Sequence, residues 1–459
     1  MEPINVIAIF DIGKTNKKLL LFDEQYRLVW ETATQFAELN DEDGFACEDI
    51  ISLSNWIHDS LETVLADRQF SVKAINFSAY GASFVYLDKK RQVIPPLYNY
   101  LKAYPTALSR KFYLDYGGEQ KISKETASPI LGNLNAGMQL YRIKNQLPDK
   151  YQQIETALHL PQFLSFVLTG NLFSDYTSIG CHTQLWDFNK NNYHDWVLEE
   201  GIDLKLAPIK QCDSQGGYFL DAIPVGVGMH DSSASLIPYL ISFVQPFILI
   251  STGTWCISLN PFNQTELTDD ELNQDCLCFI SFKGNPVKAS RLFAGYEHEQ
   301  ETKRLAAHFK KEYNYYQAIN YDVYLLKHIK LQLGSKQNEA GSAMVGASGF
   351  SERNLADFAT YEEAYHQLIA DIIVQQVRST NLVLNDSPVK KIFVDGGFSK
   401  NPIYMHLLSE YYNDKEVYAA SIPQASAMGA ALSVHQIWNS KPIPSDLISM
   451  KFFSSNQSV

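Results

Sequence analysis

The chain opens with short apolar runs separated by polar turns. Val6–Asp11 and Lys18–Asp23 are rich in Ile, Leu and Phe and flank a glycine-containing polar turn, which predicts a β-hairpin. Leu28–Phe36 predicts a third strand. Asp49–Ala66 then carries apolar residues at helical spacing and predicts an amphipathic helix, and Ala74–Tyr80 predicts a further strand. The order strand, strand, strand, helix, strand predicts an α/β unit.

The second half of the chain begins with a similar pattern. Phe247–Thr252 and Trp255–Asn260 predict two strands around a Gly-Thr turn, and Tyr361–Leu384 has the periodicity of a long helix. This weak internal duplication and the length of 459 residues predict two lobes, because a domain commonly has roughly 150 residues. We expect two ribonuclease-H-like α/β lobes, residues 1–240 and residues 241–459.

Composition and charge exclude several classes of protein. A formal net charge of -13 argues against a nucleic-acid-binding surface, which needs clustered Lys and Arg to bind phosphates. The six cysteines lie apart without CxxC pairs, so neither a disulfide framework nor a zinc site is indicated. The N-terminal residues lack the pattern of a secretory signal, and no apolar run approaches the ~20 residues that span a bilayer. We expect a cytoplasmic protein that binds neither nucleic acid nor membrane.

The stretch FDIGKTNKK, residues 10–18, contains the letters GKT with which a P-loop ends. A P-loop requires G-x-x-x-x-G-K-[ST] between a strand and a helix, because loop amides and the helix N-terminus jointly hold the phosphates. Here Ala8 occupies the first glycine position, and the apolar strand LLLFD follows Lys18. The pattern therefore excludes a P-loop.

The same turn can bind phosphate by another geometry. Gly13 allows backbone amides to converge, and neighbouring lysines supply positive charge, an arrangement that holds polyphosphate without a helix. Asp11, at the end of the strand, is placed to hold Mg²⁺ directly or through water. A solvated hairpin with lysines at its tip explains the pattern equally well. The candidate phosphate-binding residues are Gly13, Lys14, Thr15, Asn16 and Lys18.

A second candidate is VGVGMHDSSASL, residues 225–236. Asp231 precedes a small-residue segment that can begin a helix, and aspartate is a favoured N-cap. It is equally placed to act as a general base, because a helix N-terminus keeps a carboxylate ionised and ready to accept a proton from a substrate hydroxyl.

A third candidate is IFVDGGFSKNP, residues 392–402. A strand ends in Asp395-Gly396-Gly397 and a helix follows, and ligands bind at this edge of an open α/β sheet. A tight strand-to-helix turn needs the same glycines. The segment ASAMGAAL, residues 425–432, follows, and its small residues permit close helix packing.

Taken together, the order of these motifs resembles the FGGY family of carbohydrate kinases, which belongs to the sugar kinase, actin and Hsp70 superfamily. The resemblance covers nearly the whole chain and includes LTGNLFSDYTSIGCHTQLWDF, residues 168–188. It implies two ribonuclease-H-like lobes with ATP and Mg²⁺ in the cleft between them. The N-terminal lobe would bind the sugar and carry the first phosphate loop, and the C-terminal lobe would carry the second phosphate loop and bind adenosine.

The resemblance also implies roles for individual residues. Asp231 matches the catalytic base, and Asp11 lies near magnesium. ISTGTW, residues 250–255, is similar to the second phosphate loop, and the Gly-Gly turn matches the adenosine side. The implied nucleotide-binding residues are Gly13, Lys14, Thr15, Asn16, Lys18, Thr252, Gly253, Thr254, Gly396, Gly397 and Asn401.

Within the family, MHDSSAS, STGTW and SAYGASFVYLD together most resemble the rhamnulokinase and L-fuculokinase branch. This implies a ketose substrate such as L-rhamnulose or L-fuculose. Departures from the branch leave the sugar open: Tyr80 and Ala82 replace the expected pocket residues, and FSER, residues 350–353, half matches the Gly-Glu-Arg loop of the family. The implied sugar-binding residues are Tyr80, Gly81, Ala82, Phe84 and His230.

Two other functions fit the same fold. One is a non-catalytic sugar or nucleotide sensor, and the other is a protein-binding ATPase of the chaperone type. Intact Asp11 and Asp231 argue against the sensor, and we expect no appended peptide-binding domain. The expected partners are a small sugar and ATP, and the expected assembly is a monomer or homodimer.

Overall fold

The computed structural model describes residues 2–326, 329, 346–385 and 387–454, which form two compact units. The first unit comprises Met1–Ser242, Cys278–Pro286 and Pro423–Leu447. The second comprises Phe243–Leu277, Val287–Ile422 and Ile448–Val459. Two later segments thus pack with the first unit, and the division into residues 1–240 and 241–459 stays a prediction.

The first unit is built on a seven-stranded sheet with the order β12-β13-β6-β1-β2-β3, and β14 also pairs with β6. The predicted hairpin is present, with β1 antiparallel to β2 and parallel to β6. The strands are β1 (Ile4–Ile12), β2 (Lys17–Asp23), β3 (Leu28–Thr34), β4 (Leu39–Asn40), β5 (Ala46–Cys47), β6 (Phe70–Ala79), β7 (Phe84–Leu87), β8 (Val93–Ile94), β9 (Thr156–His159), β10 (Trp186–Asp187), β11 (Asn192–Tyr193), β12 (Gln215–Phe219), β13 (Ile223–Gly226) and β14 (Met229–His230).

The first helix confirms the predicted amphipathic pattern and spans Ile50–Ala66. Asp49 is its N-cap, and its carboxylate accepts hydrogen bonds from the backbone amides of Ile51 and Ser52, which satisfies two free donors of the first turn. The other helices of this unit are Thr106–Asp115, Glu119–Glu125, Ala136–Gln146, Pro148–Gln153, Leu160–Thr169, Tyr176–Ile179, Asp195–Glu199, Asp231–Ser242, Ala425–Ser433 and His435–Trp438.

Two large and separate apolar cores lie among the described residues of the first unit. One packs the alternate residues of the large sheet, such as Ala8 and Phe10, against helix Ile50–Ala66. The other is aromatic, and Phe112 meets Trp196 edge to face with ring centroids 5.0 Å apart. Because the large sheet has its own core, its strand ends are held independently of the aromatic region.

The second unit is built on a sheet with the strand order β18-β16-β15-β19-β20-β21. Its central strands β15 and β19 are parallel, so their carboxyl ends, where the Thr-Gly-Thr and Gly-Gly motifs lie, meet at one edge. The strands are β15 (Phe247–Thr252), β16 (Cys256–Asn260), β17 (Cys276–Ile280), β18 (Pro286–Leu292), β19 (Lys391–Gly396), β20 (Glu416–Ser421) and β21 (Ser449–Phe453). Its helices among the described residues include Asp269–Asn273, Ala294–Phe309, Tyr361–Leu384 and Pro402–Tyr411.

In the part of the chain that the structure describes, we find no helix with both the length and the apolar character needed to cross a membrane.

The helix Ala425–Ser433 packs tightly on the helix Asp231–Ser242 within the first unit. A Cβ atom added at Gly429 would lie 1.9 Å from the carbonyl oxygen of Ala234, a distance that no side chain can adopt. Glycine is therefore required here because the two helix backbones approach each other directly. This contact fixes the start of the helix that carries Asp231.

We expect Gly429→Ala to lower the midpoint of urea unfolding. Alanine favours a helix by about 1 kcal/mol over glycine, but overpacking a core costs roughly 1–3 kcal/mol, and the clash is with backbone. Gly346→Ala is the matched control, because a Cβ there meets open space and the substitution should be neutral or stabilise by about 0.4–1 kcal/mol. Equal midpoints for the two variants would contradict the close packing.

Candidate active site

Asp11 lies near the carboxyl end of β1 and is half-buried. Both of its carboxylate oxygens lie 3.0 Å from the hydroxyl of Ser426, which donates to them. Burial, and secondarily the charge of Asp231, raise the pKa of Asp11 to about 6, while the Ser426 hydrogen bond and the Lys18 charge act in the opposite direction. Two of the predicted residues, Asp11 and Asp231, are thus close enough to interact electrostatically.

Asp231 is the first residue of the helix Asp231–Ser242. Its Oδ1 accepts a hydrogen bond of 2.6 Å from the backbone amide of Ser232, and 35% of its side chain is exposed. Burial raises its pKa to about 6, and the Ser232 hydrogen bonds partly offset the increase. The residue therefore starts a helix and also has the raised pKa that suits a base near neutral pH.

His230 lies beside Asp231 and is buried. Its Nε2 lies 3.2 Å from Oδ1 of Asp231 and 3.0 Å from Sγ of Cys181. Burial lowers the pKa of His230 to about 3, so the imidazole is neutral. Gly81 explains how these groups fit together, because a Cβ there would lie 2.6 Å from the Cys181 sulfur and 3.0 Å from the His230 ring.

The other predicted sugar-binding residues have different surroundings. Tyr80 is buried, and burial followed by the charge of Glu48 raises its pKa well above the usual value. Ala82 has a positive φ of 62°, and its carbonyl accepts a hydrogen bond of 2.7 Å from Gln139. Phe84 is fully buried. Its ring centroid lies 4.3 Å from that of His159, so its surroundings are those of a core residue.

In the β1–β2 hairpin, the amide of Gly13 donates to the carbonyl of Asn16 at 2.9 Å, and Thr15 and Asn16 are exposed. The lysines do not act alike. Lys14 pairs with Glu38 at 3.0 Å and Glu48 at 3.3 Å. Lys17 pairs with the other oxygen of Glu48 at 3.2 Å.

Of the neighbouring lysines that the sequence predicts as a source of positive charge, Lys14 and Lys17 are thus paired with carboxylates. Carboxylates neutralise Lys14 and Lys17, and Lys17 is buried. Lys18 instead donates to the side-chain oxygen of Gln424 at 3.1 Å, next to the start of the helix Ala425–Ser433. Lys18 is also the lysine whose charge acts on Asp11.

The Thr-Gly-Thr and Gly-Gly motifs meet in the second unit. Thr252 donates through its hydroxyl to the carbonyl of Asp395 at 2.5 Å and accepts from the amide of Phe398 at 3.0 Å. Gly396 has a φ of +90°, and a Cβ there would lie 1.9 Å from the Thr252 carbonyl oxygen. The amide of Gly397 donates to the same oxygen at 3.0 Å.

A cavity of about 570 Å³ in the second unit lies beside these motifs. Four predicted residues line it, namely Thr252, Gly253, Gly397 and Asn401. Gly396 supports the turn behind Thr252. Thr254 is exposed, and its carbonyl accepts a hydrogen bond from Tyr296 at 3.1 Å.

Several residues at these sites have no signal in the sequence motifs. Gly295, His298, Tyr316, Tyr365 and Phe398 complete the cavity wall, but they are scattered over a long stretch of chain. Ser426 lies within the small-residue segment ASAMGAAL, whose pattern predicts packing and not a bond to Asp11. Cys181 lies within the segment of residues 168–188, whose pattern gives no sign of its contact with His230. In the FSER segment, Arg353 pairs with Asp371 at 2.6 Å.

One further cluster, Glu125, Asp187 and His194, has groups that could hold a metal ion. The Nδ1 of His194 accepts a hydrogen bond from the amide of Trp196 at 3.2 Å. Because Nδ1 accepts, the ring proton is on Nε2, which donates to Glu125 at 2.8 Å. A protonated nitrogen cannot ligate a metal, so this cluster fits a structural role.

The solved structures that the chain resembles confirm the predicted fold. A xylulose kinase from Lactobacillus acidophilus has a TM-score of 0.78 at 14% identity, covering 99% of this chain and 94% of that chain. A carbohydrate kinase from Novosphingobium aromaticivorans has a TM-score of 0.77 at 20% identity, covering 98% and 94%. The chain therefore has the α/β fold of these two sugar kinase structures.

Curated relatives include rhamnulokinases. That of Mannheimia succiniciproducens is 24% identical over 265 residues, 56% of this chain and 54% of the relative. That of Klebsiella pneumoniae subsp. pneumoniae is 28% identical over 232 residues, 48% of this chain and 46% of the relative. The chain spans about half the length of the curated relatives it matches.

Family models match both halves of the chain. The N-terminal domain of the FGGY family of carbohydrate kinases matches residues 6–236. The C-terminal domain of carbohydrate kinase FGGY matches residues 244–442. The chain therefore belongs to the FGGY family of carbohydrate kinases.

Proposed function

We propose that this protein is an ATP-dependent kinase that phosphorylates a hydroxyl of a ketose, with Asp231 as the general base. Membership of the FGGY family supports the reaction class. The observation that carries the role of Asp231 is its surroundings: a carboxylate at the start of a helix, beside a neutral histidine, with a pKa raised to about 6. These properties suit proton transfer from an alcohol near neutral pH.

In the proposed reaction, a sugar hydroxyl attacks the γ-phosphorus of ATP. The bond between that phosphorus and the bridging oxygen breaks, ADP leaves, and Asp231 accepts the hydroxyl proton. His230 holds Asp231 through Nε2 and stays neutral, so it orients the carboxylate without competing for the proton. Phosphoryl transfer depends mainly on positioning and on charge stabilisation, so the fixed backbone around Asp231 is as important as its acidity.

The residues around Asp11 fit a magnesium ion. Two interacting carboxylates raise each other's free energy when both are ionised, and the pKa of Asp11 is raised to about 6 partly for this reason. Mg²⁺ prefers oxygen ligands and is commonly held by one or two carboxylates with phosphate oxygens. Asp11 would hold the ion and Ser426 would orient Asp11. When bound, magnesium supplies positive charge that neutralises the phosphates.

The cavity of the second unit is the proposed ADP and ATP site. The backbone of Thr252, Gly253 and Gly397 offers a wall without large side chains, on which phosphates can approach amides. One structural relative, the glycerol kinase of Plasmodium falciparum, was solved with ADP, and it has a TM-score of 0.70 at 16% identity. Thr254, Gly396, Gly13, Thr15, Asn16 and Lys18 stay predicted phosphate contacts, whereas the ion pairs of Lys14 argue against a contact through its side chain.

L-Rhamnulose and L-fuculose are the proposed substrates. The sequence motifs and the rhamnulokinase names of the curated relatives support a ketose. Gly81 and His230 are the best supported sugar-binding candidates, because they pack against each other beside Asp231. Tyr80 and Ala82 stay candidates, and the core position of Phe84 argues against direct contact. A cytoplasmic location and a monomeric or homodimeric state stay predictions.

We expect Asp231→Asn to lower the sugar-dependent kcat by about 10²–10⁴-fold, the usual contribution of a general base. ADP release is measured with a panel of ketoses, aldoses and polyols. Asp221→Asn is the matched control, because Asp221 is exposed and has a positive φ that asparagine tolerates.

Two outcomes of this assay would contradict the proposal at different points. If no sugar raises ADP release above background, the chain is not a sugar kinase under these conditions and the sensor function gains support. If Asp231→Asn retains full sugar-dependent activity, the kinase stands and the base is another residue.

The pH dependence of kcat/KM provides a separate prediction. A general base acts only when ionised, and the pKa of Asp231 is raised to about 6, so kcat/KM should fall about tenfold per pH unit as the pH drops below 6. In Asp231→Asn this dependence should move to lower pH, because only Asp11 then titrates in this range and its pKa falls when the Asp231 charge is removed. A wild-type profile that is flat down to pH 4.5 would rule out a base with a raised pKa.

Ionised Asp231 is needed for the proposed activity but should lower the stability of the folded protein. The folded-state pKa of Asp231 lies above the ordinary aspartate value of 3.8, so ionisation is disfavoured in the folded state, and stability is lost as the pH rises from about 4 to 6. Asp231→Asn should therefore unfold at a higher temperature than wild type at pH 7.5, and the difference should shrink toward pH 4. Thermal unfolding followed by circular dichroism, with Asp221→Asn alongside, measures both. A lower unfolding temperature at pH 7.5 would show that asparagine damages the site.

A further inference from the structure

A chain of three side chains in the wall of the second unit's cavity is joined by hydrogen bonds. Nδ2 of Asn401 lies 2.8 Å from the hydroxyl of Tyr365, and that hydroxyl lies 3.0 Å from Nε2 of His298. All three residues line the cavity of about 570 Å³. The direction of each hydrogen bond follows from the backbone.

Asn401 sets the direction because it is the N-cap of the helix Pro402–Tyr411. Its Oδ1 accepts from the amides of Ile403 at 3.0 Å and Tyr404 at 3.1 Å. Because these amides can only donate, the oxygen of the Asn401 amide faces the helix and its nitrogen faces Tyr365. Asn401 therefore donates to the Tyr365 oxygen.

The Tyr365 hydroxyl has one proton, and it is directed to His298. The oxygen receives the Asn401 hydrogen bond, and among the described residues Nε2 of His298 is the acceptor within reach of the hydroxyl proton, so the O–H donates to Nε2. Burial lowers the pKa of His298 to about 4, so the ring is neutral and carries one proton. Since Nε2 accepts, that proton is on Nδ1.

The Nδ1–H of His298 has no hydrogen-bond partner among the residues that the structure describes. The ring is held by aromatic edges, with centroids 5.0 Å from Tyr316 and 5.2 Å from Phe398. A fixed donor without a partner, held between aromatic rings, is the arrangement that selects a ligand by an acceptor atom, because a mismatched ligand leaves the donor unsatisfied.

We propose that His298 determines nucleotide specificity by donating its Nδ1–H to an acceptor atom of the base of a bound adenosine nucleotide, and that Tyr365 and Asn401 are positioning residues that fix its tautomer. The inference rests on the proposed nucleotide site. It assigns a function to a histidine that no sequence motif singles out.

The first experiment measures ADP affinity by isothermal titration calorimetry for wild type, Tyr365→Phe and Tyr321→Phe. Both variants lose one tyrosine hydroxyl of the second unit. The Tyr365 hydroxyl lines the cavity and is in the chain of hydrogen bonds to His298, whereas Tyr321 does not line the cavity and its hydroxyl donates to Glu410 at 3.1 Å. We expect Tyr365→Phe to raise the Kd of ADP about three- to tenfold, as one hydrogen bond is commonly worth. Tyr321→Phe should change it less than about twofold.

The second experiment separates the donor from the ring. Asparagine places an amide nitrogen at the same number of bonds from Cβ as Nδ1, so His298→Asn should retain more ADP affinity than His298→Ala. Two-bond ¹H–¹⁵N correlations of the free protein labelled at histidine should assign the Nδ1–H tautomer to His298 in wild type. In Tyr365→Phe the same ring should show a mixture of tautomers.

The outcomes distinguish this inference from the proposed function. Equal ADP affinity in the two tyrosine variants, or an Nε2–H tautomer in wild type, overturns the role of His298 even if sugar phosphorylation is observed. A wild-type protein that does not bind ADP overturns both. If the variants differ in ADP affinity as expected, but no sugar stimulates the formation of ADP from ATP, the result supports the role of His298 and contradicts the kinase function.

Discussion

Two carboxylates held close together, Asp11 and Asp231, are the constraint around which the first unit is organised. Each has a pKa raised to about 6, and the repulsion between them contributes to that of Asp11. The surrounding structure opposes this cost with hydrogen bonds from Ser426 and Ser232 and with the charge of Lys18. Carboxyl groups with raised pKa values are common at functional sites, where they can exchange protons near neutral pH.

The close packing of two helices determines whether these carboxylates can be held at all. Gly429 allows the helix Ala425–Ser433 to lie directly on the backbone at Ala234, three residues beyond Asp231. The same helix presents Ser426 to Asp11 at its first turn. Gly429 therefore helps to position both the helix that begins at Asp231 and the hydroxyl of Ser426, because it allows the two helix backbones to come close together. A glycine also allows a close backbone approach in the second unit, where Gly396 lies against the Thr252 carbonyl.

Sequence patterns predicted the elements well where local physics decides them. The β1–β2 hairpin and the helix after Asp49 follow from apolar periodicity and capping, which are local properties. The role of the lysines could not be predicted in this way, because Glu48 neutralises Lys14 and Lys17 from a position about thirty residues away in the sequence. His298 and Tyr365 were not found either, because they meet only after two helices pack.

The position of Ser426 has a consequence for how the molecule is made. It bonds to Asp11 across 415 positions of sequence, and the segment Pro423–Leu447 belongs to the unit that the N-terminal residues begin. During translation the N-terminal strands leave the ribosome long before this segment is synthesised. Until then the Asp11 carboxylate lacks the hydroxyl of Ser426, and the helix that begins at Asp231 lacks its packing partner. Contacts of such long range close late in folding. The hydrogen bond between Ser426 and Asp11 therefore forms only after residue 426 has been synthesised, and a chain terminated before that residue lacks it.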